Sequence, residues 1–402
     1  AAGYAREQVL AGVDGWDPEG GDGDAVETAG LSANGRTVHI ETYCEDEPAL
    51  RARLKREGRS AAFAGKTPAD FEAWKIATRT RLYDVLGLSL MDRVPIEIRE
   101  LSCVRVAGGI VRTHAMLQVE RDVWMPFYLL EPSHPKLDER GLKRCYICPH
   151  GHQGAGAASV AGVAGVPAVD DAVRKFNYDY GLRLARMGYV TVCPDARGWG
   201  HRRDWKGQGD DENSFLRGTC LNQARMAEPL GLTVAGLNAW DNMRLIDYLE
   251  ARGDIAMDDL GCFGFSGGGY MTLYLAALDP RVCKTFVSGY LYGVDDSLHL
   301  NGNCSCNYTP GLWRLLDMGD IASLIAPRPL LVQSCEADHL NGSRGLKNVD
   351  EQLKIVRDAY KLLGRRDGLR HEVCPGEHHL GVAHLVEDIE WLDSHVAECA
   401  RA

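Results

Sequence analysis

The chain has 402 residues, with 56 acidic and 45 basic side chains, a formal net charge of −11 and 45% hydrophobic residues. This composition is typical of a globular protein with a large buried core, and it excludes disordered, collagen-like and disulfide-scaffold chains. The acidic balance argues against a nucleic-acid-coating protein, and no apolar run reaches the roughly 20 residues that a membrane-spanning helix needs.

The first 92 residues differ in character from the rest of the chain. Residues 14–30 are rich in Gly and Asp and predict turns with little regular structure. Residues 48–58 and 67–86 carry helical signals. We therefore expect residues 1–92 to form an N-terminal loop and helical extension, packed on a catalytic domain that spans residues 93–402.

Strand patterns begin after residue 93. Three β-rich runs joined by short turns predict an antiparallel edge, and they are Ile96 to Val106, Val111 to Val119 and Val123 to Leu130. Near-continuous apolar runs then alternate with helical stretches such as 176–187 and 235–252, which indicates strands buried on both faces of a parallel sheet. These runs are Cys145 to Cys148, Tyr189 to Cys193, Leu260 to Phe265, Thr285 to Tyr290, Leu330 to Ser334 and His371 to Cys374.

The predicted fold class is therefore α/β, with a mostly parallel central sheet and helices on both faces. A long polar segment, 201–237, interrupts the alternation of strands and helices. Insertions of this length either shape a substrate pocket or run over the surface in solvent, and both interpretations stay open.

The sharpest motif is a glycine-rich turn between a predicted strand and a predicted helix. It reads Gly264-Phe265-Ser266-Gly267-Gly268. A sharp turn of this kind presents a serine hydroxyl at a helix N-terminus, where backbone amides and the helix dipole favour developing negative charge. A phosphate-binding loop would need a lysine that this turn lacks. Ser266 is therefore the predicted nucleophile.

A serine nucleophile needs a histidine base and a carboxylate that orients the base. The last two predicted strands run into Glu336 and Asp338, and into His378 and His379. The order serine, acid, histidine along the chain fits this architecture. We favour Asp338 and His378, and Glu336 and His379 stay open as alternatives.

Two backbone amides are expected to stabilise the oxyanion of an acyl-transfer reaction. One is the amide of Gly267, and the other is that of His152 in the segment 150–154. His150 and His152 could instead be metal ligands, but no carboxylate-rich partner motif accompanies them. Cys304 and Cys306 could form a redox pair or half a metal site, and packing within a loop is the favoured interpretation.

Together these motifs resemble the α/β-hydrolase superfamily, and within it the acetyl xylan esterase-like and dienelactone hydrolase-like branch. The resemblance extends over roughly 93–397 and includes the segments 195–200, 306–312 and 326–329. Dienelactone hydrolases proper use a cysteine nucleophile, whereas this chain has Ser266, so that substrate is disfavoured.

The resemblance implies Ser266 as nucleophile, His378 as base, Asp338 as acid, and the amides of His152 and Gly267 as oxyanion donors. It also implies no metal and no organic cofactor. Substrate contact is expected for the side chains that the topology places beside the nucleophile, namely His150, Arg197 and Trp199, although a structural ion pair is the favoured role of the arginine.

The expected activity is that of a serine carboxylesterase acting on small acyl esters, acetyl above all, with carbohydrate esters as the suggested substrates. The expected partner is a small-molecule or oligosaccharide ester, with no nucleic acid and no membrane, and a homo-oligomer stays open. A peptidase or amidase of the same fold, or a hydrolase-like binding protein without activity, are the alternatives. Reduced core cysteines favour the cytoplasm, and the start at Ala1 leaves a cleaved secretion signal open.

Overall fold

The computed structural model describes residues 31–33, 36–38, 46–152, 155–205 and 218–396. The chain divides into two compact units, residues 1–52 and residues 53–402. In the first unit, β1 (Leu31–Ala33) and β2 (Arg36–Val38) pair as an antiparallel hairpin. The prediction for residues 14–30 lies outside the described residues, and the domain boundary expected near residue 92 stays a prediction.

The second unit is built on a nine-stranded sheet. Its strands are β3 (Ile98–Val106), β4 (Ile110–Glu120), β5 (Val123–Pro132), β6 (Cys145–Ile147), β7 (Val190–Pro194), β8 (Gly261–Phe265), β9 (Lys284–Ser288), β10 (Leu330–Cys335) and β11 (Leu369–Cys374). Their spatial order is β11-β10-β9-β8-β6-β7-β5-β4-β3. The pairs β3/β4, β4/β5 and β5/β7 are antiparallel, and the other five pairs are parallel. The predicted α/β fold with an antiparallel edge is confirmed.

The described residues contain thirteen α-helices, of which the first lies across the boundary of the two units and the others belong to the second unit. Their bounds are α1 (Glu47–Glu57), α2 (Pro68–Val85), α3 (Ala157–Val160), α4 (Pro167–Phe176), α5 (Tyr180–Arg186), α6 (Cys220–Ala227), α7 (Val234–Arg252), α8 (Gly267–Leu278), α9 (Leu298–Asn301), α10 (Leu312–Leu315), α11 (Met318–Ser323), α12 (Leu346–Leu362) and α13 (Leu385–Ser394). The single helix predicted over 176–187 is wrong at its start. Asn177 has a left-handed φ of 58° and ends α4, so a separate helix, α5, follows.

Alternating strand residues divide the core between the two faces of the sheet. Cys262 and Val287 lie in the larger apolar cluster on one face. Their neighbours in sequence, Phe263 and Phe286, stack on each other on the opposite face. Burial on both faces is what the continuous apolar runs predict. In the described part of the chain, no helix combines the length and apolarity needed to cross a membrane.

The helix α2 contributes to the larger cluster through Phe71 and Leu82, both fully buried. Thr67 begins the helix, because its hydroxyl accepts a hydrogen bond from the amide of Asp70 while the Asp70 carboxylate accepts one from the amide of Thr67. This reciprocal capping satisfies backbone donors that a helix start leaves unpaired.

Candidate active site

Ser266 occupies the turn between the end of β8 and the start of α8, with φ 58° and ψ −122°. A non-glycine residue at positive φ carries strain of about 1–3 kcal/mol, which surrounding structure must hold in place. Small neighbours make the turn sterically feasible. A Cβ at Gly264 would overlap the carbonyl of Gly268, and a Cβ at Gly268 would overlap the carbonyl of Pro149. The turn thus raises the Ser266 hydroxyl at the carboxyl edge of the sheet.

A chain of hydrogen bonds leads from this hydroxyl into the protein. His378 Nε2 lies 2.8 Å from Ser266 Oγ, and His378 Nδ1 lies 2.6 Å from Asp338 Oδ2. The other oxygen of Asp338 accepts the amide of Leu340 at 2.9 Å, which fixes the carboxylate. The His378 ring packs on the ring of Phe265 at 4.7 Å between centroids. The side chains of Ser266, His378 and Asp338 are all buried, so the hydrogen bonds between them are shielded from bulk water.

The neighbouring candidates lie elsewhere. Glu336 is exposed, while Asp338 is only 4% exposed and contacts the imidazole. His379 points to the backbone, since its Nδ1 lies 2.7 Å from the carbonyl oxygen of Glu377. The geometry therefore brings Asp338 and His378, and not the alternatives, to the serine.

A pocket of about 110 Å³ opens onto the serine. The residues that line it come from six segments of the chain, namely His152, Ser266, Gly267, Tyr290, Gly302, Asn303, Asn307, His339, Leu340 and His378. The segments that carry the two predicted oxyanion amides meet here. The ring of His152 lies so close to Gly267 that a Cβ on the glycine would come within 2.8 Å of His152 Nδ1.

His150 and Trp199 have structural partners. The His150 ring is 1% exposed, and its Nδ1 donates to the carbonyl of Gly151 at 2.8 Å while its Nε2 accepts the amide of Ala196 at 3.0 Å. Burial lowers the pKa of His150. Trp199 is 6% exposed, and its indole N–H donates to the sulfur of Cys220 at 2.8 Å. Neither side chain lines the pocket, so these contacts give no support to a substrate-binding role.

Arg197 is likewise bound within the protein. Its guanidinium contacts both oxygens of Asp241, at 2.9 and 2.8 Å, and also contacts Glu120. Arg202 reaches the same Asp241 at 2.6 Å. Burial alone would raise the pKa of Asp241, but the two arginines hold it below its ordinary value. Arg197 therefore forms a structural ion pair, the role that the sequence analysis favoured over substrate contact.

Asp195 anchors the start of the same loop. Its Oδ1 accepts the amide of Ala157 at 2.7 Å, and its Oδ2 accepts both the amide of His201, at 3.1 Å, and the His201 ring nitrogen Nδ1, at 2.8 Å. The hydrogen bond to Asp195 raises the pKa of His201. Burial raises the pKa of Asp195, and the bonds from His201 more than offset it, so the net shift is downward.

One cluster beside the pocket was only partly anticipated. His152, Cys304 and Cys306 place their ligand atoms within 4.8 Å of one another, and the Cys220 thiol lies beside both cysteines. The sequence singled out the histidine and the Cys-x-Cys pair separately. Cys220 was missed because it lies in a different loop, and no local spacing connects it to its partners.

The core cysteines agree with the expectation of free thiols. The six that the apolar runs contain are all free and buried, namely Cys145, Cys148, Cys193, Cys262, Cys335 and Cys374. Cys283, which the sequence analysis did not single out, is disulfide-bonded.

Comparisons with known proteins agree with this architecture. Residues 51–375 match the model of the Abhydrolase family, so the chain belongs to that family. It is 26% identical over 309 residues to YtaP of Bacillus subtilis (strain 168), described provisionally as a hydrolase, with 73% of this chain and 95% of the relative covered.

Two solved structures share the fold. A Bacteroides fragilis NCTC 9343 protein, described provisionally as an acetyl xylan esterase, has a TM-score of 0.68 at 17% identity and covers 83% of each chain. A glucuronoyl esterase from Solibacter usitatus has a TM-score of 0.61 at 15% identity, covering 84% of this chain and 96% of its own. At these identities the likeness establishes the fold.

Proposed function

We propose that this protein is a serine carboxylesterase that removes small acyl groups, acetyl above all, from carbohydrate hydroxyls. The observation that carries the proposal is the buried chain of hydrogen bonds from Ser266 through His378 to Asp338, starting at a strained strand-to-helix turn. This geometry suits nucleophilic attack on a carbonyl, since base and nucleophile lie within hydrogen-bond reach.

In the proposed reaction, Ser266 Oγ attacks the ester carbonyl while His378 Nε2 takes its proton. The carboxylate of Asp338 holds Nδ1–H and stabilises the imidazolium that forms. The amides of His152 and Gly267 receive the oxyanion. His378 then protonates the departing alkoxide, and water attacks the acyl-enzyme by the same route in reverse, which releases the carboxylic acid and restores the serine.

The restriction to small acyl groups rests on the pocket. Its volume of about 110 Å³ is a few times the roughly 30 Å³ that one water molecule occupies in the liquid. Asn303 lines it and carries a side-chain amide of the kind that can bind a hydroxyl. The carbohydrate leaving group draws on the resemblance to acetyl xylan esterases, and one of the solved neighbours named above is described in those words.

The test is hydrolysis of p-nitrophenyl acetate, butyrate and octanoate, together with acetylated xylo-oligosaccharide. We expect wild type to favour acetate, and Ser266→Ala to lose about 10⁴-fold or more in kcat. Ser323→Ala is a matched control, because Ser323 is a buried serine of α11 that donates to the carbonyl of Gly319. It should retain activity.

Three outcomes would contradict the proposal. If wild type hydrolysed none of the esters, the remaining interpretation would be a hydrolase-like binding protein without activity. Faster cleavage of p-nitroanilide amides than of esters would favour a peptidase or amidase. Equal rates on acetate and octanoate would remove the small-acyl restriction. A fluorophosphonate probe that labels wild type and fails on Ser266→Ala would identify the nucleophile independently of the substrate.

A further inference from the structure

Three separate loops bring one imidazole and three thiols together beside the active-site pocket. His152 follows β6, Cys220 begins α6, and Cys304 and Cys306 lie between α9 and α10. His152 Nε2 lies 3.2 Å from Cys306 Sγ, and the ligand atoms of His152, Cys304 and Cys306 all fall within 4.8 Å. The Cys220 thiol lies beside both other cysteines, outside the group of atoms that fall within 4.8 Å. Three soft donors therefore surround one position, and a fourth lies next to them.

This donor set matches a known preference of zinc. Structural zinc sites are closed and tetrahedral, and three cysteines with one histidine is one of their common compositions. Bond lengths of about 2.3 Å to sulfur and about 2.0–2.1 Å to nitrogen put a nitrogen and a sulfur ligand roughly 3.5–3.6 Å apart in a tetrahedron, and two sulfurs about 3.8 Å apart. The imidazole nitrogen and the Cys306 sulfur are 3.2 Å apart, so a small outward shift of these two atoms would admit the ion.

Two N–H groups are directed at these sulfurs. The indole N–H of Trp199 donates to Cys220 Sγ at 2.8 Å, and the side-chain amide of Asn307 donates to Cys306 Sγ at 3.5 Å. Metal ligands are commonly held by such outer hydrogen bonds, which orient them.

A disulfide is the competing explanation for clustered cysteines. All three cysteines are free in the structure, and a disulfide would use two sulfurs while leaving the third, with His152, unexplained. We propose that His152, Cys304 and Cys306 bind one zinc ion and that the neighbouring Cys220 closes this structural site as its fourth ligand. This differs from the sequence-based expectation of a protein without metal, which treated the histidines and the Cys-x-Cys pair separately.

The site would act on the pocket through position. Asn303 and Asn307, which flank the cysteine pair, line the pocket, as does His152. The ring of His152 also lies against Gly267 at the active-site turn. An ion bound here would tie three loops together, and so fix two walls of the pocket without touching the reacting atoms.

Metal content of the purified full-length chain tests the proposal directly. Metal is measured by inductively coupled plasma mass spectrometry and by colorimetric zinc release with a mercurial reagent. We expect about one zinc per chain, the occupancy of a closed four-ligand site. Cys306→Ser should lose most of it, and Cys103→Ser, a control at an exposed free cysteine, should keep it. Cobalt(II) replacement should give thiolate-to-metal charge-transfer absorption.

Wild type carries the decisive result, because Cys306→Ser could fail to fold. Wild-type protein expressed with added zinc that holds less than a tenth of an ion per chain would overturn the proposal, whether its cysteines are free or disulfide-bonded. Ser266→Ala should bind as much zinc as wild type. Zinc content and ester hydrolysis therefore succeed or fail separately, and the metal site does not depend on the proposed function.

Discussion

Two buried aspartates in this protein each hold a histidine, and the two pairs differ in what surrounds them. Asp338 holds His378, whose far nitrogen contacts Ser266 Oγ at the mouth of a pocket. Asp195 holds His201 but also accepts the amides of Ala157 and His201, so it fastens a loop. The Asp–His pair by itself therefore does not distinguish chemistry from structure. The third group does, and the mutations below test that distinction.

The largest expected effect separates the two aspartates by activity. Asp338→Asn should lower kcat by about 10⁴-fold, because an amide in place of the carboxylate favours the wrong imidazole tautomer and cannot stabilise the imidazolium. Its melting temperature should change little. Esterase kinetics on p-nitrophenyl acetate and differential scanning fluorimetry measure both quantities.

Asp195→Asn is the matched variant at the second pair. It should keep kcat within about 10-fold of wild type but lower the melting temperature, since the amide NH₂ faces backbone donors that need an acceptor. Loss of activity in Asp195→Asn at an unchanged melting temperature would show that the second pair also serves the reaction.

The next effect concerns stability alone. Asp241→Ala removes the carboxylate shared by Arg197 and Arg202, whose side chains are 11% and 8% exposed. Breaking a buried ion pair on one side leaves uncompensated charge and costs about 3–5 kcal/mol. We expect a loss of that order in the free energy of unfolding, measured by urea denaturation.

Asp358→Ala is the control for that measurement. It removes a surface ion pair with Lys354, whose side chain is 74% exposed, and should change the unfolding free energy by less than about 0.5 kcal/mol. If Asp241→Ala were as mild as this control, the buried arginines would not depend on the carboxylate.

The hydrogen-bonded trio of Ser266, His378 and Asp338 could be predicted from sequence because each member follows a recognisable buried strand. Glycines on both sides of Ser266 indicate a tight turn. Because the strands are parallel, Asp338 and His378 lie at the same edge of the sheet. Sequence favoured Asp338 but left Glu336 open, since both follow the same strand. Asp338 is the one that is buried and contacts His378, and burial depends on the whole fold.

The contacts that the sequence missed join segments with no shared local pattern. Asp241 sits inside α7, where periodicity predicts only a helix, and nothing marks it as the partner of Arg197. Cys220 reaches Cys304 and Cys306 only after three loops have folded over the edge of the sheet. Ion pairs and ligand clusters between loops depend on tertiary structure. Local sequence motifs therefore identify their residues one at a time or not at all.

The smallest expected effect is a pH dependence of the second pair. The pKa of His201 is raised above its ordinary value of 6.5 by the hydrogen bond to Asp195. A raised folded-state pKa means that the pair stabilises the protein fully below pH 6.5 and loses this contribution as pH rises through the folded pKa. The His201 side chain is 42% exposed, so solvent keeps the effect modest.

His201→Gln tests this dependence. The melting temperature of wild type should exceed that of His201→Gln most near pH 5.5–6, about one unit below the ordinary histidine pKa, and the gap should narrow towards pH 9. A gap that is constant over this range would mean that the imidazole contributes packing against His114, whose ring centroid lies 4.7 Å away, instead of charge. His201 lies outside the lining of the Ser266 pocket, so either result would concern how the loop is anchored. The rate of p-nitrophenyl acetate hydrolysis by His201→Gln should therefore change only with the fraction of folded protein.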